Sequence, residues 1–396
     1  MTSHRPRSPL YVLLSVVVVD LVGFGIVMPV LPFWAREFGA SGTTLGLLLT
    51  SYAAAQFACA PLWGRLSDRI GRRPVLLGTI AGTAASLLLL GLAPSLPWVF
   101  AARLLAGAFA ANLGVASAYI ADVTPPEERT RWMGMLGAAF GVGFVLGPAL
   151  GGALAPFGYR WPMLAAAGLA AANWLHAFAS LREPERHEAA AAPGARAGAL
   201  RDPLVRRLCV ANFVFSVAVT QLETVFAFFM ADRFGFDAAH VAGILIAMAV
   251  LMGAIQGGAL KALSARFPER SLVVAGSLLL SLGFLGVSPS PSVAWLLVPL
   301  ALCAVGRAVL QPSLMSLASV AAGGGARGST MGAFQASGSL ARVVGPVAAG
   351  LLYDTAHPAP FVLAAALVFA VALQARALPA EGAGPLANAL APPGAA

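Results

Sequence analysis

The sequence predicts an all-α membrane protein folded as two pseudo-symmetric six-helix bundles. Three observations carry that prediction: the composition, the recurrence of apolar runs of spanning length, and a repeat of half the chain. Of 396 residues, 59% are hydrophobic and 10% charged, and the mean hydropathy is +0.83. A water-exposed surface cannot be assembled from so few polar residues, whereas a bilayer makes the composition sensible. Apolar runs of roughly 18 to 25 residues match a hydrocarbon core about 30 Å thick. Lipid offers backbone amides no partner, so each run must pair its own as a helix. The short alternating segments of a membrane β-barrel are not visible.

The predicted spans are 10–33, 44–64, 75–93, 98–121, 133–157 and 161–180, then 208–231, 239–261, 271–288, 293–319, 329–353 and 359–377. Pro- and Ser-rich clusters at 94–97 and 288–291 mark turns between them. The organisation expected is an N-terminal bundle over 1–180, a polar cytoplasmic linker over 181–207 and a C-terminal bundle over 208–378. An Ala/Gly/Pro-rich tail over 379–396 is expected to be disordered. The first span carries Asp20 and no small-residue cleavage site, so it is expected to stay as a span rather than leave as a signal peptide.

The net charge of +9 is distributed as a topology signal, not as a nucleic-acid patch. Arg65, Arg69, Arg72, Arg73, Arg129, Arg131 and the linker arginines fall on the side holding both termini, against Arg36, Arg160 and Arg233 opposite. The positive-inside rule therefore places both termini in the cytoplasm. Cys59, Cys209 and Cys303 lie far apart inside apolar runs, with neither disulfide nor metal-ligand spacing. No phosphate-binding loop is present, so nothing points to ATP, to a metal or to another cofactor. The halves repeat: Leu66–Arg73 aligns with Leu263–Arg270, and Gly147-Pro148 aligns with Gly345-Pro346 198 positions later. Two parallel halves are how many secondary transporters are built, with the substrate between them near mid-membrane. A duplicated receptor or scaffold would show the same repeat.

The loop after the second span reads Gly64-Arg65-Leu66-Ser67-Asp68-Arg69-Ile70-Gly71-Arg72-Arg73-Pro74. It resembles the signature loop of the major facilitator superfamily at every position, which implies the major facilitator fold. Gly64 is expected to allow a close helix approach, and Asp68, Arg69, Arg72, Asp122 and Arg327 to form a gating charge cluster. In the fifth span Gly143, Gly147 and Gly151 recur every fourth residue beside Pro148, a small-residue stripe for helix contact. The string Gly143-Phe144-Val145-Leu146-Gly147-Pro148-Ala149-Leu150-Gly151-Gly152 resembles the antiporter motif of drug exporters in that superfamily. The first span, Asp20 through Pro32, resembles the twelve-helix drug:proton antiporters, especially tetracycline-type exporters. One departure stands out: those exporters carry a histidine shortly before a glutamine resembling Gln256, where this chain has Leu251 and Met252. Tetracycline itself is therefore not the expected cargo.

Charges inside spans are expensive and mark function by default. Here they are Asp20, Arg103, Glu223, Arg307 and Arg342. A carboxyl in low dielectric takes up a proton more readily, so Asp20 and Glu223 are expected to carry the coupling proton. Arg103 begins a segment resembling the superfamily's proton-transfer motif and could pair with a carboxylate or snorkel to the interface. Arg342 lies deeper and could counter Glu223 or bind an anion. Tyr52, Gln56, Asn112, Tyr119, Gln221, Gln256, Gln311 and Gln335 are candidate cavity residues, with Phe226, Phe228, Phe229, Phe334 and Trp174 supplying apolar walls. Each taken singly could equally be helix–helix glue. The expected function is export of small amphipathic drugs or metabolites by proton antiport across a bacterial inner membrane, without enzymatic chemistry and as a monomer. Proton-coupled nutrient uptake, or a transport-dead sensor or scaffold, are the alternatives.

Overall fold

A computed structural model describes residues 8–184, 201–321 and 323–376, and among these no strand forms. The first seven helices are α1 (Ser8–Glu37), α2 (Gly42–Ile70), α3 (Arg72–Gly91), α4 (Leu96–Phe109), α5 (Asn112–Val123), α6 (Pro126–Leu154) and α7 (Arg160–Ser180). After the linker come α8 (Pro203–Phe234), α9 (Ala238–Ala254), a π-helical turn (Ile255–Ala259) and α10 (Leu260–Arg266). The chain closes with α11 (Glu269–Val287), α12 (Val293–Ala321), α13 (Gly323–Thr355) and α14 (Ala359–Ala375). Among the described residues ten segments are long and apolar enough to cross a bilayer; Ala359–Ala375 is a shorter apolar helix, and α13, an expected span, is not among the ten. Linker residues 185–200 and the tail expected to be disordered lie outside the described residues.

Every expected span is helical, but two are interrupted. The fourth breaks at Ala110 and Ala111 into α4 and α5, and the eighth passes through the π turn before α10. Carbonyls freed in lipid must find donors, and α2 supplies them: Gln56 Nε2 donates to Ala110 O at 3.0 Å and Trp63 Nε1 to Ala108 O at 2.6 Å.

The chain divides into two compact units. Unit 1 comprises Met1–Ser41, Leu48–Ala190 and Met230–Ile246; unit 2 comprises Gly42–Leu47, Ala191–Phe229 and Ala247–Ala396. In unit 1 the inner face of α1 (Leu10, Leu13, Leu14, Val17) joins Val75, Leu76, Ile120 and Trp132 in one buried cluster. Outward faces stay apolar: Trp161 is 55% exposed, Leu175 62% and Trp295 67%. Water would not cover such faces, and lipid does.

Glycine sets the close approach of α6 to α1. A Cβ on Gly143 would lie 2.6 Å from Leu21 Cβ, one on Gly147 2.8 Å from Val22 O, and one on Gly151 2.5 Å from Ile26 O. The stripe read from sequence therefore seats α6 directly on the α1 backbone, with Pro148 beside Gly25. In unit 2, Gly345 of α13 lies against the Thr220 side chain of α8. Thr220 follows Val22 by 198 positions, as Gly345 follows Gly147, so the repeat recurs as packing. Gly64 does not serve as expected: a Cβ there meets nothing within 4 Å, so it permits no close approach here.

Two spanning helices have their first amides bonded by a distant carboxylate. The Arg72 and Arg73 amides of α3 donate to Glu183 Oε1 and Oε2 at 2.6 and 2.9 Å. Gly71, at φ +112°, makes the turn, and a Cβ there would strike the Glu183 carboxylate at 2.7 Å. In unit 2, the Gly42 and Thr43 amides of α2 donate to Asp354 Oδ1 and Oδ2, both at 2.8 Å. A carboxylate at a helix start satisfies orphan donors and opposes the dipole.

Gly147→Val drives a side chain into the α1 backbone and lowers stability by about 1–3 kcal/mol or more, read as a lower melting temperature of the purified protein. Gly64→Ala, with open space around it, leaves that temperature unchanged or raises it. Glu183→Ala removes about 1 kcal/mol of capping, so hydrogen exchange at the Arg72 and Arg73 amides rises about fivefold, while Glu183→Gln, with one acceptor oxygen, protects only one of the two amides.

Candidate functional site

Unit 1 places its membrane-depth carboxyl where the helix break points. Breaking the fourth span at Ala110–Ala111 makes Asn112 the first residue of α5. Its Nδ2 then donates to Asp20 Oδ1 at 2.9 Å. Asn112 is buried and Asp20 is half-buried. Among the described residues no basic group stands within ion-pairing distance of Asp20. A single neutral amide therefore holds this carboxyl.

Arg103 does not pair with a carboxylate. It is 6% exposed, and its guanidinium carbon lies 4.2 Å from the centroid of the Tyr52 ring. Its Nε is buried without a hydrogen-bond partner. A cation over an aromatic face in a water-poor site is attracted by the ring quadrupole, so Arg103 and Tyr52 form a unit between α4 and α2. It is not the snorkelling interfacial residue considered from sequence, because a snorkelling head reaches water. Gln56, half-buried, supports the break through its bond to Ala110 O.

The signature loop assembles much of the expected cluster. Arg72 Nε donates to Asp122 Oδ2 at 2.7 Å, and its Nη1 donates to Asp68 Oδ1 and Ser67 Oγ, each at 2.6 Å. Asp68 is 64% exposed and Asp122 20%, so the Asp122 half of the cluster is the shielded half. Arg69 is exposed and outside these bonds, and the Arg327 side chain lies outside the described residues. Sequence reasoning missed Glu183, whose link to the loop crosses more than a hundred residues and follows no local spacing. Arg73 extends the same corner, donating to Phe178 O at 2.8 Å and lying over the Phe178 ring.

Tyr119 and Gln221 are not cavity residues. Tyr119 is 1% exposed in the unit 1 core, and its hydroxyl donates to Arg182 O at 2.7 Å. Gln221 is fully buried, and its Nε2 donates to Gly345 O at 3.2 Å, bonding α8 to α13. Phe226, Phe228, Phe229 and Phe334 are buried core as well. In each case the side chain turns toward a neighbouring helix, a direction that depth along a span does not reveal.

Unit 2 carries a different polar focus. Glu223 is the one exposed position between Ala218 and Met230 of α8. Its Oε1 accepts from Arg307 Nη1 of α12 at 2.6 Å, and Arg342 of α13 lies within electrostatic reach of the same carboxylate. Gln311, one turn beyond Arg307, and Gln335 are exposed. Gln256, Gly257 and Gly258 occupy the π turn, which packs against α12 and leaves all three exposed. Single π turns inside α-helices recur at functional positions. No group of His, Cys, Asp or Glu among the described residues is arranged to hold a metal.

This geometry meets a consistent set of relatives. The sequence profile described as Major Facilitator Superfamily matches residues 13–346 and 260–393. The class D tetracycline resistance protein of Salmonella ordonez is 33% identical over 356 residues, covering 88% of this chain and 90% of that one. Multidrug resistance protein 1 of Bacillus subtilis (strain 168) is 32% identical over 368 residues, covering 91% and 94%. Among solved structures, the human organic anion transporter MFSD10 (TETRAN) superposes with a TM-score of 0.70 at 27% identity, over 94% of this chain and all of that one. A bacterial homolog of the human lysosomal transporter Spinster reaches a TM-score of 0.78 at 16% identity, over 94% and 97%, and speaks to the fold alone. A multi-pass all-α membrane protein with this signature loop, this repeat and these relatives is a transporter and not an enzyme; the chain belongs to the Major Facilitator Superfamily.

Proposed function

We propose that the chain exports small amphipathic drugs or metabolites across a bacterial inner membrane in exchange for protons, with both termini in the cytoplasm. The observation that carries this reading is Asp20: a carboxyl at mid-span in α1, held by the Asn112 amide and, among the described residues, by no cation. Such a group takes or loses a proton without breaking an ion pair, and the amide bond accommodates either form. The names of two relatives, a tetracycline resistance protein and a multidrug resistance protein, support export as the direction.

Driving force and machinery agree in size. A proton entering down 100 mV releases about 2.3 kcal/mol, enough to hold a gradient of about fifty-fold. Glu223 is the second titratable carboxyl, but a proton there must displace Arg307, so its titration is tied to an ion pair. We assign the coupling proton first to Asp20, with Arg103 on Tyr52 as a fixed positive charge in the same unit. The Asp68–Arg72–Asp122 cluster ties α2, α3 and α5 together within unit 1, and we assign it the gating role. One chain carries both units, so we invoke no partner subunit.

Drug susceptibility in a host stripped of its own efflux pumps tests this. Wild type raises the inhibitory concentration of at least one amphipathic drug, and Asp20→Asn returns it to the empty-vector level at equal membrane abundance. The substitution is nearly isosteric and keeps an oxygen for Asn112. An Asp20→Asn protein that still confers resistance overturns the assignment. Substrate-dependent alkalinisation of the outside medium, with no resistance, indicates uptake instead.

A further inference from the structure

Unit 2 holds more guanidinium than carboxylate inside its membrane-crossing helices. Arg307 and Arg342 face one mid-span acid, Glu223. The other described acids of unit 2 sit at helix ends: Asp202 before α8, Glu269 opening α11, and Asp354 spent on the α2 amides. Arg307 already donates to Glu223, and its Nε remains buried without a partner. Whether or not Glu223 holds a proton, this region stays cationic.

The exposure of α13 locates that surplus charge. Gln335, Ser339 and Arg342 are exposed together, within about 60° of arc on a helix of 3.6 residues per turn. Ala336, Leu340, Val344 and Leu351 form a second exposed stripe, centred about 140° away by the same geometry. An apolar stripe on a spanning helix faces lipid. A stripe of amide, hydroxyl and guanidinium does not, because intramembrane charge belongs with the bundle interior or with water. Arg342 therefore opens onto an aqueous part of unit 2, flanked by hydrogen-bonding groups.

We propose that Arg342 is the anion-recognising residue of the transport site, so that the cargo class includes amphipathic organic acids and zwitterions. This rests on the export reading above. A guanidinium receives a carboxylate through two parallel hydrogen bonds, which a lysine cannot reproduce. Gln335 supplies a further amide donor two turns away, and the Ser339 hydroxyl, one turn away, donates to Gln335 O at 3.1 Å. Glu223 keeps Arg307 oriented as the second cation of the pair. An anionic cargo is also driven outward by the membrane potential itself, in addition to any proton exchanged for it.

Everted membrane vesicles carrying wild type, Arg342→Gln or Arg342→Lys test this, with fluorescein as the acidic probe and ethidium as the cationic one. Each protein is normalised by abundance and by the melting temperature of purified material. The expected result is uptake of fluorescein by wild type. In Arg342→Gln the fluorescein-to-ethidium ratio falls about ten- to hundred-fold, the range for a lost charge-assisted hydrogen bond. Arg342→Lys recovers part of it. A folded Arg342→Gln protein with an unchanged ratio overturns the inference, whether both fluxes persist or both fall together. Wild type that moves ethidium but not fluorescein overturns it too and leaves the export reading standing. Wild type that moves neither overturns the inference, and the export reading then stands or falls on the susceptibility test.

Discussion

A carboxyl group inside a lipid-crossing helix must be held by something, and for Asp20 that something is one amide. The constraint reaches back through the fold. Asn112 meets Asp20 because the fourth span is broken two residues earlier. The break survives in an apolar setting because α2 brings Gln56 and Trp63 to the freed carbonyls. Asp20 is held at that depth because α1 lies backbone to backbone on the glycine stripe of α6. Remove a donor or add a methyl group, and the carboxyl loses its neighbour.

The two units spend their intramembrane charge differently. Unit 1 keeps its acid and its base apart, Asp20 on an amide and Arg103 on a ring. Unit 2 joins them, with Glu223 on Arg307 and Arg342 beside the pair. The first arrangement suits a proton that comes and goes. The second suits a standing field that a cargo can read. Duplication supplied the same glycine-seated helix pair to both units, and divergence lies in the side chains set on it.

Much of the architecture was legible because lipid leaves few options. An apolar run of spanning length is a helix, and Gly143, Gly147 and Gly151 could only line one face. Asp20, Glu223 and Arg342 were conspicuous because charge is rare at that depth. What escaped was whatever depends on a second helix. The break at Ala110–Ala111 has no proline to announce it and rests on side chains fifty residues away. The caps supplied by Glu183 and Asp354 join positions with no local spacing between them. Tyr119 and Gln221 turn toward neighbouring helices, since a span's rotation is set by its partners. Gly64 matched a motif whose close approach is not made here.

The central claim is that Asp20 exchanges its proton for cargo. Proton release on cargo binding measures it directly, with purified protein in weakly buffered detergent at near-neutral pH. An amphipathic drug identified by susceptibility is added, and the pH change is compared with that of a matched Asp20→Asn sample. The account predicts that wild type acidifies the medium on binding and that Asp20→Asn binds without doing so. Equal release from both proteins would contradict it.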